Sequence, residues 1–296
     1  MISETLLTVL PLPAWQEKTR IHLSRAERYT KGTRERRDRG VPHPIEDFLF
    51  QYYPYPIALL EQWQPGVGVG LEWPESPAPP GRFPLKHYTL EDGVMYADIK
   101  TLTAKERQRL VWMRELLAAT ADRAGNFSCH GLHEWAMVYR GKEVRHEKTT
   151  PLRLPQAEID ALVESRPICC SHHDAFRFFA PEARPMNRLQ PSIERRGELE
   201  QPGCVHANMD LYKWTAKAMP FAGTDLLMDA FELSMKLRDL DMRASPYDLS
   251  AWGRPPIRIE TPEGRKEYEA EQRSLAADAA GVREKLLGVL AQVSRI

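Results

Sequence analysis

The chain has 296 residues, of which 42% are apolar, and its 41 basic residues are matched by 41 acidic ones, so the formal net charge is zero. This length is enough for a large buried core, whereas four cysteines are too few for a disulfide-stapled fold and favour the reducing cytoplasm. No run of about 18 apolar residues occurs, so we expect neither a membrane-spanning helix nor a membrane partner. The neutral charge also argues against a protein drawn to nucleic acid by its overall field.

The N-terminal segment, residues 1–40, is predicted to be a basic arm, and residues 41–296 a single catalytic domain. Between Lys18 and Arg39 the sequence holds nine Lys or Arg residues against three acidic ones. Such a segment can contact the phosphates of a nucleic acid. It can equally be a solvated helix face or a mobile arm, and the sequence leaves both interpretations open.

The middle of the first half predicts short elements. Residues 44–63 are typical of two short helices separated by prolines. Residues 65–84 are rich in Pro and Gly and predict a long loop. Residues 83–99 carry Asp92-Gly93 between two partly alternating runs, which predicts a β-hairpin.

Longer helices follow from apolar residues at helical spacing. They are predicted over residues 101–124, 155–165, 224–243 and 264–296. Thr103 is placed to cap the first of them. The fold class is therefore predicted to be mainly α with a minor β-hairpin or small sheet, in a single domain.

Candidate functional residues concentrate in three segments. These are residues 126–139 (NFSCHGLHEWAMVY), 166–185 (RPICCSHHDAFRFFAPEARP) and 203–214 (GCVHANMDLYKW). They contain all four cysteines and five of the nine histidines, beside carboxylates and aromatic residues. Polar groups among such aromatics are costly unless they serve one another, so we expect the segments to converge on one pocket.

One chemistry open to these segments is metal binding. His130, His172 and His206, with Asp174 or Asp210, would offer the nitrogen and oxygen ligands that suit zinc or non-haem iron. The spacing matches no standard motif, because the sequence contains neither HExxH nor a CxxC pair.

Acid–base catalysis without a metal is the second chemistry. A carboxylate among aromatic residues can have a raised pKa, or can stay ionised and stabilise a cation. Histidines would orient the carboxylates or move protons. The candidate catalytic residues are Glu134, Asp174, Asp210, His133, His172 and His206.

Two further interpretations stay open. Any single histidine here can be a core residue that backbone groups satisfy. The pairs Cys129-His130 and Cys204-x-His206 place a base near a thiol in sequence, and a cysteine nucleophile would require the two side chains to be adjacent in space as well.

Five strings extend the pattern: HPIEDFLF at 43–50, GNFSCHGLHEWAMVYR at 125–140, SHHDAFRFF at 171–179, HANMDLYKW at 206–214 and DMRASPYDL at 241–249. Together they resemble a bacterial family described as 3-methyladenine DNA glycosylases, over about positions 43 to 270. The resemblance implies hydrolysis of the N-glycosidic bond of a modified base in DNA, flipped into an aromatic pocket, with no cofactor. Asp174 would then stabilise the oxocarbenium-like sugar and position water.

The same resemblance implies a set of substrate-binding residues. Aromatic side chains would stack on a cationic base, and amide or basic side chains would contact its edge or the pocket rim. The set is Trp135, Tyr139, Phe176, Phe178, Asn208, Tyr212, Trp214 and Arg243. The alternative function is a zinc- or iron-dependent enzyme that acts on a small molecule, with His130, His172, Asp174 and His206 as ligands. A third is a binding module without catalysis.

Overall fold

The computed structural model describes residues 8–74, 86–141 and 150–294. Over these residues the chain is mainly α-helical with one small four-stranded sheet, which confirms the predicted fold class. No helix in the described ranges is both long and apolar enough to cross a membrane.

The described residues divide into two compact units. The first comprises those of Met1–Arg114, Tyr212–Phe231 and Val282–Ile296, and the second those of Glu115–Leu211 and Glu232–Gly281. Each boundary between the units falls inside a helix rather than in a linker. This explains why the sequence shows no change of composition at a boundary.

The sheet belongs to the first unit. Its strands are β1 (Thr8–Leu10), β2 (Val69–Glu72), β3 (Tyr88–Glu91) and β4 (Val94–Ala97), in the order β1-β2-β4-β3. The pairing of β1 with β2 is parallel, and the other two pairings are antiparallel. The predicted hairpin is confirmed, because β3 and β4 are joined at Asp92-Gly93, where both residues have positive φ.

The predicted loop over residues 65–84 is wrong at β2, and residues 75–84 lie outside the described residues. Strand β2 is central, and Leu71 on it is completely buried. Gly70 has a packing role there, since a Cβ at this position would lie 2.6 Å from a side-chain carbon of Val94. The glycine that suggests a loop is therefore needed for close packing inside the sheet.

Helix α1 (Leu12–Arg39) occupies most of the predicted basic arm. One face is buried, and Trp15 on it packs with Trp63, Leu71 and Met95. Several arginines of the helix are paired with acids of the same unit: Arg25 with Asp229, Arg34 with Glu61 and Arg36 with Asp47. These three positive charges are neutralised within the protein.

The remaining helices of the first unit agree with the sequence. The two short helices are α2 (Phe48–Tyr52) and α3 (Ile57–Glu61). Helix α4 (Ala104–Ala121) starts at the predicted cap, where Glu106 N donates to Thr103 Oγ1 at 3.3 Å and Thr103 N to Glu106 Oε2 at 3.0 Å.

The second unit is built from short and long helices. The short ones are α5 (Leu132–Met137), α6 (Gln156–Glu164), α7 (His173–Phe176) and α8 (Arg196–Leu199). The long ones, which also contribute residues to the first unit, are α9 (Val205–Lys217), α10 (Thr224–Arg243) and α11 (Pro262–Val293). Helices α6 and α10 lie where they are predicted, and α11 begins two residues before its predicted start.

Candidate functional site

The structure brings residues of all three polar segments together in the second unit. His133 comes from α5, His172 directly precedes α7, and His206 lies in the first turn of α9. The ring centroid of His206 is 4.7 Å from that of His133 and 5.6 Å from that of His172. Each segment therefore places one imidazole in a common buried region.

Four side chains around His133, namely His133, Glu134, His206 and Asp241, form what we call cluster A. One ligand atom from each lies within 4.8 Å of the others. His133 Nε2 is 2.9 Å from Asp241 Oδ1 and 4.0 Å from Glu134 Oε1, and His206 Nε2 is 3.9 Å from Asp241 Oδ2. Among the described residues, neither oxygen of Asp241 has an aligned hydrogen-bond donor. His133 and Asp241 thus form a close charged pair, and Glu134 and His206 place further ligand atoms about 4 Å from it.

Burial sets the protonation of cluster A. It opposes ionisation of Asp241, but the His133, His206 and Arg238 charges hold the pKa of that carboxyl below its usual range. Burial also opposes a charge on His133, yet Asp241 and Cys129 raise its pKa well above the usual value. For Glu134, burial and the neighbouring Asp241 raise the pKa to about 7. Burial lowers the pKa of His206 to about 3. Protons therefore supply positive charge to this cluster at neutral pH.

A second group, cluster B, consists of His172, Asp174 and Asp210, whose ligand atoms also lie within 4.8 Å of one another. His172 Nε2 is 3.4 Å from Asp210 Oδ2 and 3.6 Å from Glu200 Oε1. Asp174 pairs with Arg196, whose Nε is also 3.3 Å from Glu200 Oε1. Asp174 and Glu200 therefore share Arg196.

Local structure fixes the ring of His133. The turn before α5 has positive φ at His130 and Gly131, and a Cβ at Gly131 would meet that of Ala244 at 3.2 Å. Cys129 Sγ then lies 3.3 Å from His133 Nδ1, which leaves Nε2 directed at Asp241. A contact on one ring nitrogen that orients the other is the usual arrangement around a metal-binding histidine.

A small cavity adjoins cluster A. It is lined by all four cysteines together with His133 and His206, and all four thiols are free. Burial raises the pKa of Cys204 to about 12, and burial with neighbouring thiols raises that of Cys170 above its usual value. These two residues are therefore thiols at neutral pH, which argues against their use as cysteine nucleophiles.

Most predicted substrate-binding residues of the second unit are parts of its packed interior. Trp135 is completely buried and donates to Ala244 O at 2.8 Å. Tyr139 is also buried and donates to Glu164 Oε1 at 2.5 Å. The others are likewise engaged by the protein: Phe176 by Phe179, Phe178 by Arg177, Asn208 by Pro202 O and Arg243 by Glu271.

Three predicted residues belong to neither cluster. Tyr212 and Trp214 belong to the first unit, where Tyr212 packs against Tyr53, Tyr55 and Phe231, and Trp214 against Trp112. His130 lies in the second unit with its Nδ1 3.1 Å from Ser128 O and its Nε2 3.5 Å from Glu269 Oε2. The predicted ligand set of His130, His172, Asp174 and His206 is thus divided among three places.

The sequence analysis missed the side chains that α10 contributes. Arg238 Nη1 is 3.7 Å from Glu134 Oε1 and 3.9 Å from Asp241 Oδ2, and both α10 residues are buried. With Ser234 they form a polar stripe at helical spacing in a helix whose other buried residues are mostly apolar. That stripe is the signal in the sequence that could have identified them. Glu200 and Arg196 next to cluster B were missed as candidate site residues.

Comparison of the chain with protein-family models, with curated proteins and with solved structures finds no match in any of the three.

Proposed function

We propose that the second unit is a metal-dependent enzyme that acts on a small molecule, and that cluster A binds its zinc or iron ion. The observation that carries the proposal is the convergence of two imidazole nitrogens and two carboxylates within 4.8 Å of one another, with three of the separations between 2.9 and 4.0 Å. Atoms that bind one ion at about 2.1 Å lie about 3 to 4 Å apart, depending on the geometry. The donor set of two histidines with carboxylates suits zinc and non-haem iron.

Charge supports the same proposal. The two carboxylates of cluster A face one arginine, Arg238, in a buried region. Buried charges are ordinarily paired or coordinate a metal. In the metal-free protein, protons on His133 and Glu134 supply the positive charge that a bound cation would otherwise supply. Metals and protons compete for such ligands.

The surrounding residues have distinct tasks in this proposal. A bound zinc or iron ion supplies Lewis acidity next to the cavity. Cys129 would hold the ring of His133 so that Nε2 is free to bind the ion. Glu134 lies 4.0 Å from that nitrogen, farther than Asp241, and is placed to hold or move a proton. The small adjoining cavity, of about 20 Å³, is large enough for one water molecule beside His133 and His206. The four free thiols fit the cytoplasmic location that we propose.

DNA glycosylase activity, which the family resemblance implies, is the second candidate. The observation in its favour is a buried carboxyl with a pKa of about 7, Glu134, beside the carboxylate Asp241. Hydrolysis of glycosides uses such a pair, one to protonate the leaving group and one to stabilise the sugar cation. Against it, Trp135 and Trp214 are buried, and Asp174 is paired with Arg196.

Elemental analysis of the protein, expressed without a histidine tag, tests the main proposal. We expect at least one equivalent of zinc or iron, and its loss in His206→Ala and Asp241→Asn. His130→Asn is the matched control, because His130 lies outside both clusters and asparagine tolerates its positive φ. Metal retained in both cluster variants would contradict the proposal.

A protein that holds no metal, even after incubation with zinc or ferrous iron, would also overturn it. The glycosylase candidate would then lead. Its assay is the formation of abasic sites in alkylated DNA, which should be lost in Glu134→Gln and Asp241→Asn.

A further inference from the structure

His172 is the most unusual polar side chain next to cluster A. It is 1% exposed, and neither of its ring nitrogens has a hydrogen-bond partner among the described residues. Buried polar groups are nearly always hydrogen-bonded, so an imidazole with two unsatisfied nitrogens is costly unless a ligand completes it. Nothing in cluster A accounts for this cost, because its ligand atoms do not include those of His172.

The oxygen atoms around His172 stand at ligand distances rather than at hydrogen-bond distances. Its Nε2 is 3.4 Å from Asp210 Oδ2 and 3.6 Å from Glu200 Oε1. A protonated imidazole bonded directly to a carboxylate would lie at about 2.7 to 2.9 Å. Atoms that share one ion bound at about 2.1 Å are instead about 3 to 4 Å apart. The spacing therefore fits a shared cation better than an ion pair.

Acidic side chains enclose His172. Glu200 and Asp210 each place an oxygen within 3.6 Å of its Nε2, and Asp174 belongs to the same cluster of ligand atoms. Asp210 and Glu200 are almost completely buried. Buried carboxylates are ordinarily paired or coordinate a metal, so this set of oxygens around an imidazole suits a divalent cation.

We infer that cluster B binds a second divalent cation beside that of cluster A, so that the second unit holds a two-ion centre. This inference rests on the proposed function, because the second ion would share the site of the first. The ligands are His172, Asp174 and Asp210, with Glu200 within reach. One nitrogen among carboxylate oxygens is a harder donor set than that of cluster A, and favours manganese or iron. Arg196 orients Asp174 as a positioning residue.

Manganese(II) titration of the full-length metal-free protein tests the inference, with bound metal counted by equilibrium dialysis and elemental analysis. We expect two equivalents in the wild type, one in His172→Ala and fewer than two in His206→Ala. His173→Ala is the matched control, since His173 is the neighbouring histidine, contacts Pro191 O at 3.4 Å, and lies outside both clusters. It should keep two equivalents. Asp210→Asn, which keeps the shape of the side chain, replaces His172→Ala if that variant does not fold.

The outcomes separate this inference from the proposed function. One equivalent in the wild type, lost in His206→Ala and kept in His172→Ala, would overturn the second ion and leave the proposed enzyme in place. No bound metal would overturn both. Two equivalents that persist in both His172→Ala and Asp210→Asn would place the second ion elsewhere, and the inference would be wrong.

Discussion

Asp47 in the first unit and Asp241 in the second are both buried carboxylates, but they differ in the number of hydrogen-bond donors aligned with their oxygens. Asp47 accepts two hydrogen bonds from Arg36 at 2.7 and 2.9 Å, one from Thr33 Oγ1 at 2.7 Å and one from His43 N at 2.8 Å. Asp241 is more deeply buried, yet its oxygens have no aligned donor within the described ranges. One carboxylate is saturated by the fold, and the other is not.

Under the proposed function, this difference is the one between a structural carboxylate and a metal ligand. Burial opposes ionisation of Asp47, but donors from Arg36, His43 and Thr33 lower its pKa, so its environment is complete without a ligand. Asp241 is kept ionised mainly by the charge of His133, whose Nε2 lies 2.9 Å from its Oδ1, and by those of His206 and Arg238, whose nitrogens lie 3.9 Å from its Oδ2. A fold that leaves such a group without aligned hydrogen-bond donors in the described ranges, in contact with other good ligands, retains a cost that a bound cation can remove.

The largest effect is expected from Asp241→Asn. The amide keeps the size of the side chain but removes a charged ligand. Losing a residue that only hydrogen-bonds a ligand lowers metal affinity by about 10- to 100-fold, so losing a ligand itself should lower it by at least about 100-fold. Competition with a chromogenic chelator measures the affinity. The control is Asp239→Asn, two residues away on α10, where the carboxylate pairs with Arg254 at 2.8 Å. Equal affinities in the two variants would remove the functional distinction between Asp47 and Asp241.

Asp47→Asn should show the reverse behaviour. The variant loses the charge-assisted bonds to Arg36, which keeps its ion pair with Glu46 at 2.8 Å, so we expect a cost of about 2 kcal/mol in the free energy of unfolding. Urea unfolding measures this cost, and elemental analysis should show an unchanged metal content. A loss of stability below about 0.5 kcal/mol would mean that the saturated network is not structurally important.

The sequence predicts the elements whose signals are local. The helix over residues 224–243 is observed with the same bounds, because its apolar spacing, its first threonine and the following Pro246 all lie within one segment. Strand β2 was missed, because Val69–Glu72 is short and contains a glycine. Its partners β1 and β4 are far away in sequence, so only the tertiary fold identifies it.

In the candidate site, too, local sequence signals identify some residues and miss those that only the tertiary fold brings close. His133, Glu134, His206 and Asp210 stand out because they lie in segments rich in Cys, His and aromatic residues. Asp241 lies within an otherwise regular helix, and its partner His133 is separated from it by more than 100 residues of sequence. Residue types therefore indicate which segments carry chemistry, whereas the set of donors that meet is decided by the packing of helices.

His22 in the first unit extends the comparison to pH. It is 3% exposed, its Nε2 lies 2.6 Å from Leu60 O, and its Nδ1 lies 3.9 Å from Asp225 Oδ1. Burial lowers its pKa, although Leu60 O and Asp225 oppose the shift. Below the unfolded value of about 6.5 the unfolded chain therefore binds a proton that the folded chain does not.

The free energy of unfolding should consequently fall as pH decreases below about 6.5, by at most about 1.4 kcal/mol per pH unit from this residue. Urea unfolding of metal-free protein between about pH 5 and pH 7 measures the slope. His22→Gln should remove this contribution, and an unchanged slope would mean that His22 titrates normally.

Glu106 provides the smallest test, because it is saturated by donors without being deeply buried. It accepts from Lys86 Nζ at 2.8 Å, from Thr103 Oγ1 at 2.7 Å and from Thr103 N at 3.0 Å, and these bonds lower its pKa to about 2. In Thr103→Val the hydroxyl donor is lost while the other two remain, so the pKa should rise part of the way towards its ordinary value. An NMR titration of the Glu106 carboxyl measures the shift, and metal binding should not change. If the pKa stays near its wild-type value, Lys86 and the backbone N–H of Thr103 are enough to hold this carboxylate ionised. Hydroxyl donors would then contribute less to the lowered pKa of a saturated carboxylate than the Asp47 network suggests.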